Sequence, residues 1–387
     1  MINLITTNER LHEFCQKLEQ QNFITVDLEF HREKTYYAKL GLIQVGAKGF
    51  EAIIDPLSKE LDLTEFYNIL DNPKIVKVFH SCRQDIEILY RMSGLIPHPL
   101  FDTQVAAQLC GFGTTASYES LVNTILGIEL DKSSRLSNWC TRPLSEKQLD
   151  YAISDVTHLV YIYEYIKEKI TASNREHWLD EEMAPLLKIE TYTTKPEDVW
   201  QRIRHHTSHN RKYLTVLREL AAWRERRAQT KDLPRQNIIK DEYLLNIAAE
   251  MPHTIEELAQ IRNMRADILK GKLGTEIIDV VKNALALPHN QYVKLPQEKR
   301  ISCNPSLYEM LKLLLNLIAQ EEQCTPHIIA LDDELKLFSA YKDSDLNMLK
   351  GWRNELFGSK AKTLRDGKLT IRYNPDTQKI DFIQQSA

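Results

Sequence analysis

The sequence lacks the features on which several common classes of protein depend. None of its six cysteines lies in a CxxC pair or has a histidine neighbour at zinc-ligand spacing, which argues against zinc modules. No stretch approaches the roughly 18 apolar residues of a membrane span, and the first residues lack a basic flank with an apolar run. Lysine and arginine number 50 against 54 acidic residues, so whole-chain charge indicates no nucleic-acid partner. We expect a reduced, cytoplasmic protein that is not attached to a membrane.

The pattern of apolar residues changes along the chain and predicts more than one domain. A length of 387 residues exceeds what one core usually supports. Strand-like and helix-like periods mix up to about residue 190, whereas nearly everything from 200 to 365 is typical of helix, with a polar, proline-containing break from 287 to 305. We predict four segments, the last a possible β-hairpin: residues 1–195, 208–290, 303–365 and 366–387.

The first segment predicts a mixed sheet that is covered by helices. Between residues 23 and 30, apolar and polar residues alternate, which is typical of a strand with Asp27 and Glu29 on its polar face. Residues 147–169 have the apolar stripe of a long helix, and Ser145 with Gln148 forms a capping-box pattern before it. Further strands are predicted at Gly41–Val45, Ala52–Ile54, Ile75–Phe79 and Leu100–Asp102. Strands that come first and then alternate with helices predict an α/β domain.

Asp27 and Glu29 are the first candidates for a catalytic role. Two residues apart on a strand, their carboxylates project from the same face and can reach a common ion. Neighbouring acids repel each other unless a positive charge offsets the repulsion, and carboxylate oxygens are the ligands that magnesium and manganese prefer. The alternative is a strand at the sheet edge with ordinary surface acids, because exposed acids are common.

Two further acids and a tyrosine can complete such a site. Asp85 falls near the first turn of a helix, although an acid there can also simply favour the helix dipole. Tyr151 and Asp155 lie four residues apart on one helix face, where Asp155 is either a metal ligand or a boundary residue bonded to Tyr151. Four acids with a tyrosine suit a two-metal phosphodiesterase, in which one ion activates water and the other stabilises the leaving oxygen. Tyr151 would then orient the attacking water.

These residues stand in runs that resemble the three motifs of the DEDD exonuclease superfamily, tyrosine subclass. The runs are Val26-Asp27-Leu28-Glu29-Phe30, Phe79-His80 with Asp85 beyond, and Tyr151-x-x-x-Asp155. Flanking segments narrow the resemblance to the ribonuclease D family: Thr35-Tyr36-Tyr37, Leu42-Ile43-Gln44, Phe101-Asp102-Thr103, and Leu130-Asp131-Lys132-Ser133 through Arg142-Pro143-Leu144-Ser145. Asn138 departs from the family, in which an aspartate is expected, and this affects the substrate contacts of that loop but not the metal motifs.

The resemblance implies an RNase H-like mixed sheet with flanking helices and a 3′→5′ exoribonuclease that releases nucleoside 5′-monophosphates and trims tRNA precursors. It implies two Mg²⁺ or Mn²⁺ ions held by Asp27, Glu29, Asp85 and Asp155, with Tyr151 positioning water. Two alternatives stay open: a DNA-directed proofreading or repair exonuclease, and a non-catalytic RNA-binding protein with a degenerate nuclease fold. The presence of all four acids and the tyrosine counts against degeneration. No obligate protein partner is evident.

Positive charge concentrates at the start of the helical region. Residues 200–240 contain eleven lysines or arginines against three acidic residues. Such a run is either a solvated helix face or a surface for RNA phosphates. The candidate phosphate contacts are Arg224, Arg227, Lys231 and Arg235. His205, His206 and His209 are expected to be polar surface residues, because no cysteine or pair of acids lies near them.

The helical region resembles the helicase-and-RNase-D C-terminal module, HRDC. The resemblance rests on Trp223-Arg224-Glu225-Arg226-Arg227 followed by Leu233-Pro234-Arg235-Gln236-Asn237. A five-helix bundle is implied, although Asn263 stands where that module often has glycine. Residues 307–358, which close with Gly351-Trp352-Arg353, resemble a second and more divergent copy. The implied architecture is an α/β domain followed by two all-α HRDC-type bundles.

Overall fold

A computed structural model describes residues 3–131, 137–204, 210–262, 264–294, 302–341, 343 and 345–384. Several predictions lie outside these residues: the Lys132-Ser133 part of the family resemblance, the histidines His205, His206 and His209, and the departure at Asn263. The described chain divides into two compact units. The first comprises the described residues within 1–29, 41–188 and 299–387, and the second those within 30–40 and 189–298.

The strands of the first unit form a mixed sheet, as the sequence predicted, and this sheet has six strands. In chain order they are β1 (Leu4–Ile5), β2 (Phe23–His31), β3 (Lys39–Ala47), β4 (Phe50–Ile54), β5 (Val76–Phe79) and β6 (Leu100–Asp102). Their spatial order is β1-β4-β3-β2-β5-β6, with β3 and β4 antiparallel and the β1–β4, β2–β5 and β5–β6 pairs parallel. The two-residue β1 was not predicted, because so short a strand shows no alternation.

Helices cover this sheet, and the longest of them carries two of the candidate residues. They are α1 (Asn8–Leu18), α2 (Thr64–Asp71), α3 (Arg83–Ser93), α4 (Thr103–Leu109), α5 (Tyr118–Leu121), α6 (Glu146–Ala172) and α7 (Glu176–Met183), with a π-helical turn at Val122–Leu126 and a 3-10 turn at Ala184–Leu187. The predicted capping box of α6 is confirmed, because the Ser145 hydroxyl accepts from the Gln148 amide and the Gln148 side chain accepts from the Ser145 amide. Its apolar stripe is buried in the core.

The second unit contains a helical bundle. Its helices are α8 (Arg211–Lys231), α9 (Arg235–Ile238), α10 (Asp241–Glu250), α11 (Ile255–Gln260), α12 (Ala266–Lys270) and α13 (Lys272–Ala286), with 3-10 turns at Ile189–Thr191, Pro196–Arg202 and His289–Gln291. Leu217 and Leu220 of α8, Ile247 of α10, and Ile277 and Val281 of α13 meet in one buried core. The all-helical character expected from the sequence is therefore confirmed.

The remaining helices belong to the first unit. They are α14 (Pro305–Glu321), α15 (Pro326–Ile329), α16 (Asp332–Ser339), α17 (Gly351–Arg353) and α18 (Ser359–Arg365), with turns at Asn347–Leu349 and Asn354–Gly358, and the hairpin β7 (Leu369–Asn374) and β8 (Lys379–Gln384) follows as predicted. Trp352 stacks on Trp178 of α7 with ring centroids 4.4 Å apart, and Arg353 pairs with Glu182. This second helical segment thus shares one hydrophobic core with α6 and α7.

The long helix α6 approaches the sheet closely at one point. The Thr25 hydroxyl on β2 donates to the carbonyl oxygen of Val156 at 2.8 Å. On the neighbouring β3, a Cβ atom at Gly46 would lie 2.6 Å from the Thr25 hydroxyl and 3.1 Å from the Val156 carbonyl oxygen. The absence of a side chain at Gly46 therefore lets the α6 backbone rest on the sheet, which brings the adjacent Asp155 towards β2.

The state of the cysteines bears on the expectation of a reduced protein, and the length of the helices bears on the expectation that the protein is not attached to a membrane. The six cysteines form no disulfide in the described residues. Burial raises the pKa of Cys15 to about 12 and that of Cys110 to about 11, so both thiols keep their protons at neutral pH. In the described part of the chain, no helix is both long and apolar enough to cross a bilayer.

We expect Gly46→Ala to lower the melting temperature, because overpacking of this kind typically costs about 1–3 kcal/mol. The exonuclease activity that the family resemblance implies should fall as well, since α6 carries Asp155. Thr25→Ala removes the hydroxyl that the new methyl group would meet first. The double variant should therefore lose less stability than the sum of the two single variants, as measured by thermal unfolding. If the stability loss of the double variant equalled the sum of the two single losses, this would contradict the close contact between Gly46 and Thr25.

Candidate active site

Three of the predicted acids meet at one place in the first unit. Asp27 and Glu29 lie on β2, and Asp155 lies on α6. One carboxylate oxygen from each of these residues lies within 4.8 Å of the corresponding oxygens of the other two. Asp155 is only 9% exposed, and Asp27 and Glu29 are half-buried, so this is not a group of fully solvated surface acids. The geometry excludes the alternative that these acids lie on a strand at the sheet edge, since β2 lies between β3 and β5 in the sheet.

Tyr151 lies one helical turn before Asp155 and is bonded to it, the phenol O–H donating to the carboxylate. Burial raises the pKa of Tyr151 above its usual value, and the negative charges of Asp155, Glu29 and Asp27 raise it further. The phenol therefore keeps its proton at neutral pH. A protonated phenol can hold and orient a water molecule but cannot act as a base, which agrees with the role expected from the sequence.

Asp85 lies beside this group but not within it. It occupies the first turn of α3 and is 7% exposed. Burial raises its pKa well above the ordinary value, and the charges of Asp27 and then Asp102 raise it further. Burial also raises the pKa of Asp27 to about 7. Asp85 is thus close enough to Asp27 for the two charges to interact, although it is not part of the group formed by Asp27, Glu29 and Asp155.

Asp102 holds the turn that leads into α3. Its carboxylate accepts hydrogen bonds from the amides of Ser81 at 3.0 Å and Cys82 at 2.8 Å, and also from Gln104 at 2.8 Å as the N-cap of α4. Ser81 has a φ of 60°, a conformation that needs such support. The sequence indicated Asp102 only as part of a family segment. An aspartate before a helix does predict a cap, but its second contact, across 20 residues to Cys82, has no local signal.

Tyr118 anchors the backbone of α6 at the acidic site. Its hydroxyl lies 2.7 Å from the carbonyl oxygen of Asp155 and 2.9 Å from that of Ser154, so it donates to this pair of carbonyls. The hydroxyl therefore fixes the turn of helix from which the Asp155 side chain projects. The sequence did not single out Tyr118, because a tyrosine 37 residues from its partner shows no pattern.

A loop before α6 packs against Tyr151. Trp139 is 2% exposed, and its ring centroid lies 5.9 Å from that of Tyr151. The Arg142 guanidinium donates to the Asp55 carboxylate at 2.6 Å, to the Trp139 carbonyl oxygen at 2.8 Å and to the Gly41 carbonyl oxygen at 2.7 Å. This ion pair fastens the loop to the sheet and so supports one face of Tyr151.

Asn138 departs from the family pattern without disturbing this loop. Its side-chain oxygen accepts from the amide of Cys140 at 3.1 Å. A carboxylate oxygen would accept the same hydrogen bond, so the turn does not require an aspartate. The substitution removes one negative charge from the loop and leaves the metal motifs intact.

Comparisons with known proteins point to one family. Residues 2–171 match the profile of a 3′-5′ exonuclease family, and residues 214–281 match the HRDC domain. Ribonuclease D of Granulibacter bethesdensis is 40% identical over 370 residues, which cover 95% of this chain and 93% of that protein. The ribonuclease D of a Jannaschia species is 38% identical over 98% of this chain and 99% of its own length. The chain belongs to the ribonuclease D family.

A solved structure supports the same assignment. The crystal structure of Escherichia coli RNase D, described as an exoribonuclease involved in structured RNA processing, matches with a TM-score of 0.81 and 27% identity. The match covers 95% of this chain and 99% of that chain. The α/β exonuclease fold with a helical HRDC domain, expected from the sequence, is therefore confirmed for this ribonuclease D family member.

An exonuclease domain of this fold depends on a divalent metal, and the residues present fit one. The three close carboxylates supply hard oxygen donors from two elements that the core holds in place. Burial and then the negative charge of Asp27 raise the pKa of the neighbouring Asp85, and burial and then the charges of all three carboxylates raise the pKa of Tyr151. A divalent cation would offset this concentration of negative charge. The chemistry and the placement of the donors thus both suit Mg²⁺ or Mn²⁺.

The basic residues predicted to contact nucleic acid lie in the second unit, and one of them does not fit that role. Arg224 is only 4% exposed; its guanidinium donates to the carbonyl oxygen of Ile239 at 3.0 Å and to the Asp241 carboxylate at 2.6 Å. A buried and paired guanidinium cannot reach a phosphate. We therefore exclude Arg224, which corrects the expectation from the sequence.

The other three candidates differ in what their charges face. Arg227 pairs with Glu276 at 2.7 Å, and Arg235 pairs with the fully buried Glu225. Lys231 is exposed in the last turn of α8. Among these three, Lys231 is the best placed to contact a phosphate, because the paired arginines would have to leave their carboxylates.

We expect Asp27→Asn to stabilise the protein in chelator at about pH 8. Burial raises the pKa of Asp27 to about 7. As the pH rises from about 4 to 7, ionisation of this buried carboxylate therefore lowers the stability of the folded protein by a growing amount. Above this range the loss of stability is fully present. The melting temperature of the variant should therefore exceed that of the wild type at about pH 8, with little difference at about pH 4. Asp150→Asn, an exposed site on the same helix as Asp155, is the control. A variant less stable than wild type in chelator at the higher pH would contradict the predicted cost of ionising the buried Asp27 carboxylate.

Proposed function

We propose that this protein removes nucleotides one at a time from the 3′ end of RNA, that the products are nucleoside 5′-monophosphates, and that tRNA precursors are among its substrates in the cytoplasm. The observation that carries the proposal is the group formed by Asp27, Glu29 and Asp155, with Tyr151 bonded to the last of them. Relatives named ribonuclease D that match over nearly the whole chain support RNA as the substrate.

The four acids divide into two overlapping sets that could hold two cations. When bound, such cations activate a water molecule and stabilise the leaving oxygen of a phosphodiester. Asp27, Glu29 and Asp155 would hold one, and Asp27 with Asp85 would hold the other, because Asp85 interacts electrostatically with Asp27. Asp27 would thus serve both, which makes it the carboxylate on which the site depends most. We propose Mg²⁺ or Mn²⁺ as the ions.

Tyr151 and its support would determine where the water lies. Its O–H group is held towards Asp155 by their hydrogen bond, and Trp139 packs beside its ring. With its proton retained, Tyr151 can bond a water molecule and aim it at the phosphorus atom while a carboxylate accepts the water's proton. The chain's own residues therefore supply both the ligands and the alignment of the attack.

The helical segments would hold the RNA during trimming. We propose that the bundle within 208–290 binds the phosphate backbone through exposed basic residues such as Lys231, separately from the acids that cleave it. The exonuclease domain would span 1–195, and the segment 303–365 would be a second HRDC-like domain that is followed by the hairpin. Binding by one module and cleavage by another allows a structured RNA to be held while its single-stranded 3′ end is shortened.

Matched RNA and DNA strands with a 5′ label provide the direct test of the proposal. We expect Mg²⁺ or Mn²⁺ to yield a ladder of products shortened from the 3′ end of RNA, and excess chelator to abolish it. A tRNA precursor with a 3′ extension should be shortened to a defined end. Equal or faster shortening of DNA would favour a DNA-directed exonuclease instead.

Variants of the acidic residues control for a contaminating nuclease in that assay. Asp27→Asn and Asp155→Asn should lower turnover by about a hundredfold or more, because each removes a charge that stabilises the transition state, while RNA binding persists. Tyr151→Phe keeps every carboxylate and should lose less. Rates like those of the wild type from either aspartate variant would remove these residues from the mechanism.

Neutralising Lys231 should weaken RNA binding in a way that depends on salt. Loss of one phosphate contact in Lys231→Ala should lower the slope of log affinity against log salt by about one. Arg224→Leu is the matched comparison on the same helix, and it should lower the melting temperature but leave the slope unchanged, because its guanidinium is buried. A slope that changes only in the Arg224 variant would reverse this assignment.

A further inference from the structure

Gln44 is a buried amide without hydrogen-bond partners. It lies on β3 and has no exposed surface, and neither its Nε2 nor its Oε1 atom has a hydrogen-bond partner. Among the described residues, it is the only one with a buried side-chain donor and a buried acceptor that both lack a partner. An amide buried in this way destabilises a fold, so its presence in the middle of a sheet calls for a reason other than packing.

The register of the sheet places Gln44 opposite Asp27. Only seven residues, 32–38, join β2 to the adjacent β3, too few for the crossover that parallel strands require, so these two strands run in opposite directions. Gly46 lies directly against Thr25. In antiparallel strands, moving two residues back along β3, from Gly46 to Gln44, corresponds to moving two residues forward along β2, from Thr25 to Asp27. Gln44 therefore neighbours Asp27.

Gln44 also shares a face of the sheet with the acids. Side chains two residues apart on a strand point the same way, so Gln44 faces the same side as Gly46, which lies against Val156 of α6. Leu42, two residues in the other direction, packs in a hydrophobic cluster with Trp139 and Ala152 of α6. The amide therefore lies between Gly46 and the apolar cluster around Leu42, on the face of the sheet that the helix carrying Asp155 covers.

Asp27 is a chemically suitable neighbour for a carboxamide at this position. Its N–H groups need an acceptor, and an ionised aspartate has two oxygens that together accept several hydrogen bonds. A carboxylate that holds a metal ion is usually oriented by such a donor. An apolar side chain, such as that of Leu42 on the same face, would satisfy the packing without the cost of an unpaired amide.

We propose that Gln44 is a positioning residue for Asp27: its Nε2 donates to the Asp27 carboxylate when that carboxylate binds the divalent cation, and so fixes the orientation of the ligand. The proposal rests on the function proposed above, because it requires Asp27 to be a metal ligand. Gln44 itself contacts neither the RNA nor the cleaved bond.

Gln44→Met tests the proposal in the full-length protein, since methionine keeps the length of the side chain and removes the donor. We expect the dissociation constant for Mn²⁺, measured by titration calorimetry, to rise about ten- to a hundredfold. The melting temperature in chelator should equal or exceed that of the wild type, because an unpaired buried amide has been removed. Leu42→Met, on the same face of the same strand, is the matched control and should leave Mn²⁺ affinity within about twofold of the wild type.

A second pair of variants asks whether Gln44 acts through Asp27. In an Asp27→Asn background, adding Gln44→Met should change Mn²⁺ affinity by less than about twofold, because the carboxylate that it orients is gone. A full loss in that background would show that Gln44 acts elsewhere and would overturn the proposal. So would a lower melting temperature of Gln44→Met in chelator, unchanged Mn²⁺ affinity, or an equal loss in Leu42→Met.

Failure of this inference can be told apart from failure of the proposed function. Mn²⁺ affinity and stability in chelator are measured without RNA. A wild-type protein that neither binds Mn²⁺ nor shortens RNA would refute the function. A wild-type protein that does both, with a Gln44→Met variant that matches it in affinity, would refute only the role of Gln44.

Discussion

Repulsion between carboxylates opposes the folding of this site, since three acids present oxygens within 4.8 Å of one another and burial strengthens the interaction between like charges. What brings them together is packing that involves no charge. The Thr25 hydroxyl bonds the Val156 carbonyl of α6, and Gly46 leaves room for the helix backbone. The apolar core thus holds Asp155 against the sheet, and a bound cation would in turn relieve the repulsion that the core withstands.

A residue with no candidate role in the chemistry ties down each of three elements at the site: the turn before α3, the helix α6 and the loop beside Tyr151. Asp102 bonds the turn before α3, Tyr118 bonds the α6 backbone at Asp155, and Arg142 fastens the loop that packs on Tyr151 through its pair with Asp55. These anchors are main-chain hydrogen bonds and one ion pair. They hold the acids within the narrow range of positions that metal binding and water alignment require.

The basic segment of the helical bundle shows why charge counted along a chain does not define a binding surface. An excess of positive residues between 200 and 240 is real, yet several of these charges face carboxylates that the count does not include. Glu276, the partner of Arg227, lies 49 residues away in the sequence. Arg224 points into the bundle, whereas Lys231 two turns later on the same helix faces solvent. Burial, which depends on how helices pack, separates structural charges from those that can meet RNA.

The sequence alone determined the class of the fold and the identity of the acids, because alternation, helical spacing and capping residues are local patterns that survive without tertiary contacts. Asp27 and Glu29 share a face on any strand, and Tyr151 and Asp155 share one on any helix. Tertiary structure alone decided which acids form the close group and that Asp85 interacts with it through Asp27. The same holds for Gln44, since the pairing of strands and the packing of α6 alone turn an ordinary strand residue into a buried amide opposite a carboxylate.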